Sequence, residues 1–460
     1  MIKGAVIIEI RIIGASHAGI ACALRAREEN PDSNIVIYEK QKSIGFVAQS
    51  IPLYLAGDSN FLKLSSYTTI AELEAKHITV KTQTVIDSVD LSNKTIHYVD
   101  MVYDVEKEDH FDKLVVATGS YPSLSLVQDG FVDKLYVIKK FEDAVKIRQL
   151  MAESRSCIVI GGGAIGIEMA KILSELKIET TIIHSSDFIL NRYLDKEIAL
   201  DMQNALVENG VKIITNTLIT SIDEENLKDS NRKISHVRTA DGQHFEADGI
   251  IYATGFRPNS FLVADQVALG DRGAIIVDDY MQTSHPDVYA VGDCATTKLT
   301  NVKEPTYVPH ASDAIRQGDV AGANLAGNTV QLKYSQGTYK LNFDRDISLC
   351  MSGLTHEKAK QEGFDSDVVT IRDQYVNGNA FFEAYLVYEK VTHKILGIQC
   401  KGSSFEVGAQ AEIISLAIQN NLTVEDLQYS DFYFKHGFNN PRSFTQILAD
   451  AIRQKEKAVK

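Results

Sequence analysis

The residues able to do chemistry begin with two sets of glycines. The run Cys157–Ile158–Val159–Ile160 leads into Gly161, Gly163 and Gly166, spaced G-x-G-x-x-G, and then into the helical pattern Met169–Leu173. This is the strand, tight turn and helix start of a dinucleotide site. The first glycine allows the turn, the second lets backbone approach a diphosphate, and the third lets the helix pack on the strand. The phosphates then sit at the positive end of the helix, among unpaired N–H groups. A second set, Gly14 to Gly19, follows Ile12–Ile13 and carries Ser16 at the middle position. Twenty residues after Gly19, the run Ile35–Tyr38 ends at Glu39, placed to hold a ribose hydroxyl pair. His17 lies inside the first turn. It either faces solvent at the helix start or stands over the reactive ring of a bound cofactor, where imidazole moves protons near neutral pH.

Several elements must position these groups. Met1–Ile8 is apolar, is interrupted by Glu9 and Arg11, and is too short to span a membrane; it reads as the first strand. A helix runs from the first glycine turn to about Glu29. Another starts near Ile51 with Pro52 in its first turn, and a third covers 67–77. Strands are expected near 80–89 and 95–99. Leu114–Val116 forms a buried strand running on to Ala117–Thr118–Gly119 and Pro122, and Gly249–Tyr252 repeats it with Ala253–Thr254–Gly255 and Pro258. The repeat marks two crossovers between domains. Val288–Val291 is a buried strand ending at Gly292–Asp293, where a carboxylate can bind polyol hydroxyls. The second strand of the inner unit, Glu179–Ile183, ends at His184, where an NAD-specific site carries Asp or Glu. Ser185, Ser186 and the more distant Arg192 keep a 2′-phosphate, and so NADPH, open beside NADH. His184 alternatively stacks on or bonds to adenosine without selectivity.

Composition bounds the answer. The 460 residues make two or three domains. Apolar content of 44% with 23% charged residues indicates a soluble globular protein. A net charge of −14 argues against a broad nucleic-acid surface. Cysteines at 22, 157, 294, 350 and 400 form no C-x-x-C and no metal cluster with histidine, so reduced thiols, a cytoplasmic setting and no metal site are expected. Cys22 belongs to the packed face of the first helix. The basic C-terminus from Arg453 to Lys460 reads as a solvated helix end.

Together these residues resemble the FAD-dependent pyridine nucleotide-disulfide oxidoreductases, and within them the NADH oxidase, NADH peroxidase and coenzyme A-disulfide reductase branch. The resemblance covers essentially the whole chain. It implies an α/β fold with two Rossmann-like dinucleotide domains: FAD-binding at 1–122 and 254–330, with an inserted NAD(P)H domain at 123–253. It also implies an α+β dimerisation domain at 334–460, where Gly353–Thr355, Lys394–Gly397 and Phe438–Pro441 match the family, and hence a homodimer. Gly14, Ser16, Gly19, Glu39, Thr118, Gly119, Asp293, Pro309 and Ala311 are the implied FAD positions. Gly161, Gly163, Ala164, Ile165, Gly166, Glu168, His184, Ser185 and Gly255 are those for NADH or NADPH. His17 corresponds to the histidine beside the flavin.

Two departures bear on activity. The family's redox cysteine lies in a pattern like S-C-G-I-x-L-Y-L. Here Ala48–Gln49–Ser50–Ile51–Pro52–Leu53–Tyr54–Leu55 occupies that register and Gln49 stands at the cysteine. An amide becomes neither a nucleophile nor a sulfenic acid. Ala164 stands where the branch has an aromatic residue over the flavin, which leaves that face more open to oxygen or a bulkier acceptor. The resemblance therefore implies an NAD(P)H oxidase releasing hydrogen peroxide, with oxygen or a small molecule as acceptor, and with neither nucleic acid nor membrane as partner. Two alternatives stand beside it: a reductase of a quinone or protein acceptor, and a non-enzymatic, flavin-holding redox sensor.

Overall fold

A computed structural model describes residues 7–57, 66–124, 126, 132–226, 233–343, 347–374, 381–436 and 440–459. Two parallel five-stranded sheets form its first two-thirds. One orders its strands as 288–290, 113–116, 9–13, 34–38 and 78–81, and the other as 212–214, 179–183, 156–160, 250–252 and 135–136. Both are built from β-branched runs buried on two faces, as parallel sheets require: Ile10, Ile12, Ile35 and Ile37 in the first, Val159, Ile182 and Ile251 in the second. Each carries a separate three-stranded antiparallel sheet, at 84–110 and 219–247.

The first strand is Glu9–Ile13, and most of the run proposed for it lies outside the described residues. Glu9 and Arg11 belong to the strand rather than interrupting it. Arg11 is buried and bonds to Asp109 at 2.8 Å and to Glu9 at 2.7 Å, so its charge is neutralised within the fold. The helix expected over 67–77 is only Ile70–Glu74. Thr69 caps it in a reciprocal box with Glu72, and His77 leaves helical geometry at φ +58°. The strand expected near 80–89 is two, Ile78–Lys81 and Thr84–Asp90, separated where Gln83 turns at φ +51°. Helix Ser50–Leu55 has Pro52 as its third residue.

The two Ala-Thr-Gly turns explain the crossovers. Gly119 has φ +69° and Gly255 has φ +101°, both left-handed, each three residues past the end of its buried strand at Val116 or Tyr252. The segment read as one strand to Pro122 therefore ends at Val116 and turns through Ala117–Gly119. Ser120–Pro122 then pairs antiparallel with Phe256–Pro258, a two-stranded ribbon between the sheets.

The last third is one antiparallel sheet, ordered 339–342, 347–353, 395–403, 381–389 and 366–374, with helices Ser404–Gln419 and Phe444–Val459. The motif at Phe438–Pro441 falls partly outside the described residues. No described helix is long and apolar enough to cross a membrane.

Candidate active site

The two glycine turns sit at the carboxyl ends of the central strands, where open α/β sheets bind ligands. Their glycines divide by cause. A Cβ on Gly14 would stand 2.2 Å from the Ala117 carbonyl oxygen, and one on Gly161 2.5 Å from that of Ala253. On Gly19 and Gly166 it would meet the preceding turn at 1.9 and 2.0 Å. These four are glycine because protein backbone fills the space. Gly163 has nothing within 4 Å and an ordinary φ of −82°, so no protein contact or backbone strain calls for glycine there. Ser16 occupies the matching place in the first turn, exposed, at φ −104°, which any L-residue adopts. The missing middle glycine therefore costs no strain.

Helix His17–Glu29 leaves the first turn and packs closely on helix Ala311–Asn324, which starts just after Pro309 with His310 at its N-cap. Gly318 and Gly322 allow the approach: a Cβ there would lie 2.2 Å from the Ala18 carbonyl oxygen and 2.5 Å from that of Cys22. Cys22 is buried in this face, as the sequence led us to expect. Gln317 reaches from the second helix to accept a hydrogen bond from Gly292 N–H at 2.7 Å, which fixes the turn carrying Asp293.

Asp293 is the electrostatic centre of the site. Its carboxylate accepts from Ser120 Oγ at 2.8 Å and from Lys139 Nζ at 3.1 Å, and Lys139 also donates to Ser120 at 2.7 Å. Burial opposes its charge, but Lys139 and Ser120 outweigh that and hold the carboxyl below its usual range. His17, Tyr307 and His310 all feel this charge. Each has one buried polar atom without a hydrogen-bond partner among the described residues: His17 Nδ1, Tyr307 Oη and His310 Nδ1. Burial pushes the His17 pKa down, so its imidazole is neutral near pH 7. Its ring stacks on Tyr67, centroids 5.5 Å apart. Three orphaned polar atoms around one carboxylate form a shell that fits a polyol chain and a heteroaromatic ring, the parts a flavin brings. At the turn before it, Glu39 accepts from Ala15 N–H and Gln41 N–H, both at 2.8 Å.

In the second unit Gly162 N–H donates to His184 Nδ1 at 3.1 Å. His184 therefore carries its proton on Nε2, which faces Asn191 Oδ1 at 3.2 Å. Ser185 is exposed, and the Arg192 charge reaches His184. Ala164 is 5% exposed and belongs to an apolar cluster that also contains Ile51 and Leu55. Gln49 is the exposed N-cap of helix Ser50–Leu55 and makes no side-chain cap bond.

The structure adds residues the sequence did not single out. Lys139 lies in an unremarkable stretch, and Ser120 follows the Ala117–Gly119 turn with no spacing that pairs it with Asp293. Tyr193 and Tyr339 stack at 5.5 Å, and His310 stands 5.1 Å from Tyr339, so rings from three parts of the chain meet. Glu168 lies against this group. Burial, partly offset by the Asn342 backbone and Lys171, pushes its carboxyl up to about 7. A carboxyl raised above its ordinary 4.5 holds in the folded state a proton that the unfolded chain loses. Stability therefore falls as pH rises from about 4.5 to 7, by a total on the order of 3 kcal/mol. Glu168→Gln is expected to raise the thermal midpoint of nucleotide-free protein at pH 8 by several degrees and to leave it unchanged at pH 4.5. An equal shift at both pH values would contradict this origin.

A sequence model of the pyridine nucleotide-disulphide oxidoreductases matches residues 8–318. The chain belongs to this family. Membership makes it an oxidoreductase whose cofactors are FAD and a pyridine nucleotide. It is similar to an NADH oxidase of Enterococcus faecalis, 31% identical over 96% of this chain and 99% of that protein. The structure of a water-forming NADH oxidase from Lactobacillus brevis, bound to NADH, superposes with a TM-score of 0.92 at 28% identity, covering 98% of this chain and 100% of the other. An NAD-dependent persulfide reductase from A. fulgidus gives 0.89 at 28% identity, covering 98% and 84%.

Proposed function

We propose that this chain is a cytoplasmic, homodimeric oxidase that takes a hydride from NADH or NADPH and gives two electrons to oxygen, releasing hydrogen peroxide. The balanced reaction is NAD(P)H + H⁺ + O₂ → NAD(P)⁺ + H₂O₂. The observation that carries the reading is Gln49 in the family cysteine's register. Reducing peroxide onward to water takes a thiolate, and burial pushes the Cys157 and Cys350 thiols up to about 12 and about 11 and raises Cys22, Cys294 and Cys400 as well. The names of the oxidase relatives support oxygen as the acceptor.

In this reading 1–122 and 254–330 hold FAD, 123–253 holds the nicotinamide nucleotide and 334–460 makes the dimer. The exposed Tyr429 and Phe434 support that last role. When bound, FAD supplies the hydride acceptor and the electron donor to oxygen. Backbone N–H groups at Ser16 and Gly163, where helices His17–Glu29 and Ala164–Glu175 begin, take the diphosphates. Glu39 binds a ribose, and Thr118, Gly119 and Asp293 hold the polyol side. Ala164, Ile165 and Glu168 position the nicotinamide, while His184, Ser185 and Gly255 line its nucleotide. Pro309 and Ala311 border the flavin. His17 Nδ1 takes up and hands on the proton that peroxide formation consumes.

The test compares acceptors. FAD-loaded protein is expected to oxidise NADH or NADPH in air at least as fast as with an added quinone under nitrogen. Turnover with quinone and none with oxygen would make the protein a quinone reductase and end the oxidase reading.

A further inference from the structure

The small sheet of strands Ile219–Asn226, Lys233–Thr239 and His244–Ala247 has a polar face that the oxidase reaction does not use. Its register sets His236 opposite Glu246 on one side and Asp223 on the other, and Arg238 opposite His244. Directly opposed residues share a face, as do residues two apart along a strand. Asp223, Glu225, His236, His244 and Glu246 therefore gather together. Among them Asp223 is ion-paired with Arg238.

His236 Nδ1 lies 3.0 Å from His244 Nε2 and 3.5 Å from Glu246 Oε1. One donor atom from each of the three residues falls within 4.8 Å of the others. The two rings are inclined by 13° with centroids 5.0 Å apart, edge to edge rather than face to face. His236 is 8% exposed, and its Nε2 is buried without a hydrogen-bond partner among the described residues. The carboxylate of Glu225 stands 3.6 Å from that nitrogen.

We propose that His236, His244 and Glu246 form a site for one divalent cation of the zinc class, completed by water. Zinc–ligand bonds of about 2.0–2.1 Å set neighbouring donors of a tetrahedron roughly 3.3 Å apart. The two edges from His236 Nδ1, 3.0 and 3.5 Å, bracket that value, and the third, between His244 and Glu246, lies within 4.8 Å, so a shift of the exposed Glu246 carboxylate with small ring rotations completes the geometry. A metal on Nδ1 fixes the proton of His236 on Nε2, directed at Glu225. That gives the orphaned nitrogen a partner and makes the carboxylate–histidine–metal arrangement that orients metal-bound imidazole. The cation also offsets the charge of Glu246 and Glu225, and it ties strand 233–239 to strand 244–247.

The test is cobalt titration of the full-length, FAD-loaded protein after chelator treatment. One equivalent of Co²⁺ is expected to bind, with the intense visible bands of a tetrahedral site after flavin subtraction, and Zn²⁺ is expected to displace it. His244→Ala and Glu246→Ala, both at exposed side chains, are expected to weaken binding about tenfold or more each. Zn²⁺ should raise the thermal midpoint of the parent protein and not that of H244A. No stoichiometric binding, or binding unchanged in both variants, would overturn the site.

Discussion

Gln49→Cys is expected to convert a peroxide-forming enzyme into one that forms mostly water. Position 49 is exposed, with φ −64° and ψ −13°, so cysteine fits there without strain. The thiolate attacks peroxide, giving a sulfenic acid and hydroxide: CysS⁻ + H₂O₂ → CysSOH + OH⁻. A second nucleotide then restores it: CysSOH + NADH → CysS⁻ + NAD⁺ + H₂O. Oxygen consumed per NADH should move from one toward one half, and recovered peroxide should fall several-fold. Gln49→Ser, which supplies a hydroxyl but no thiol, should leave peroxide yield unchanged. A full peroxide yield from a folded, FAD-loaded Q49C, with its thiol shown to be free, would mean that position 49 does not face the reacting oxygen.

Asp293→Ala is expected to have the largest effect on cofactor retention. The substitution removes the acceptor for Ser120 and Lys139 and leaves the Lys139 ammonium partly buried, with Ser120 Oγ at 2.7 Å and the Phe256 ring at 4.6 Å as its remaining partners among the described residues. Loss of the carboxylate acceptor for the polyol costs about 3 kcal/mol of FAD binding, roughly a hundredfold in affinity, while the uncompensated cation lowers folding stability instead. Flavin absorbance retained after dialysis measures this. Adding Lys139→Met to D293A should recover thermal stability without recovering FAD, because it removes the stranded charge and not the missing acceptor. Unchanged FAD affinity in D293A would place the polyol elsewhere.

The fold was legible where local pattern and tertiary role agree. Helix His17–Glu29 and strand Glu179–Ile183 have the bounds the sequence indicates, because their turn glycines and β-branched runs are dictated by the same packing. The irregular segments were not legible. Gln83 and His77 adopt φ above +50° without being glycine, so no residue type announced those breaks. At the site, the glycines and Asp293 could be read from spacing. Lys139 reaches Asp293 across 154 residues, and Tyr339 meets His310 and Tyr193 only through the packing of the third sheet. His236 and Glu246 are brought together by cross-strand register, which spacing along the chain does not reveal.

The measurement that tests the central claim most directly is oxygen uptake by the FAD-loaded protein with limiting NADH, and then NADPH, with catalase added at the plateau. The account predicts one oxygen consumed per nucleotide and half of it returned by catalase, because every turnover leaves one peroxide. Uptake of half an oxygen per nucleotide, with none returned, would show that water forms without the family cysteine and would contradict the role assigned to Gln49.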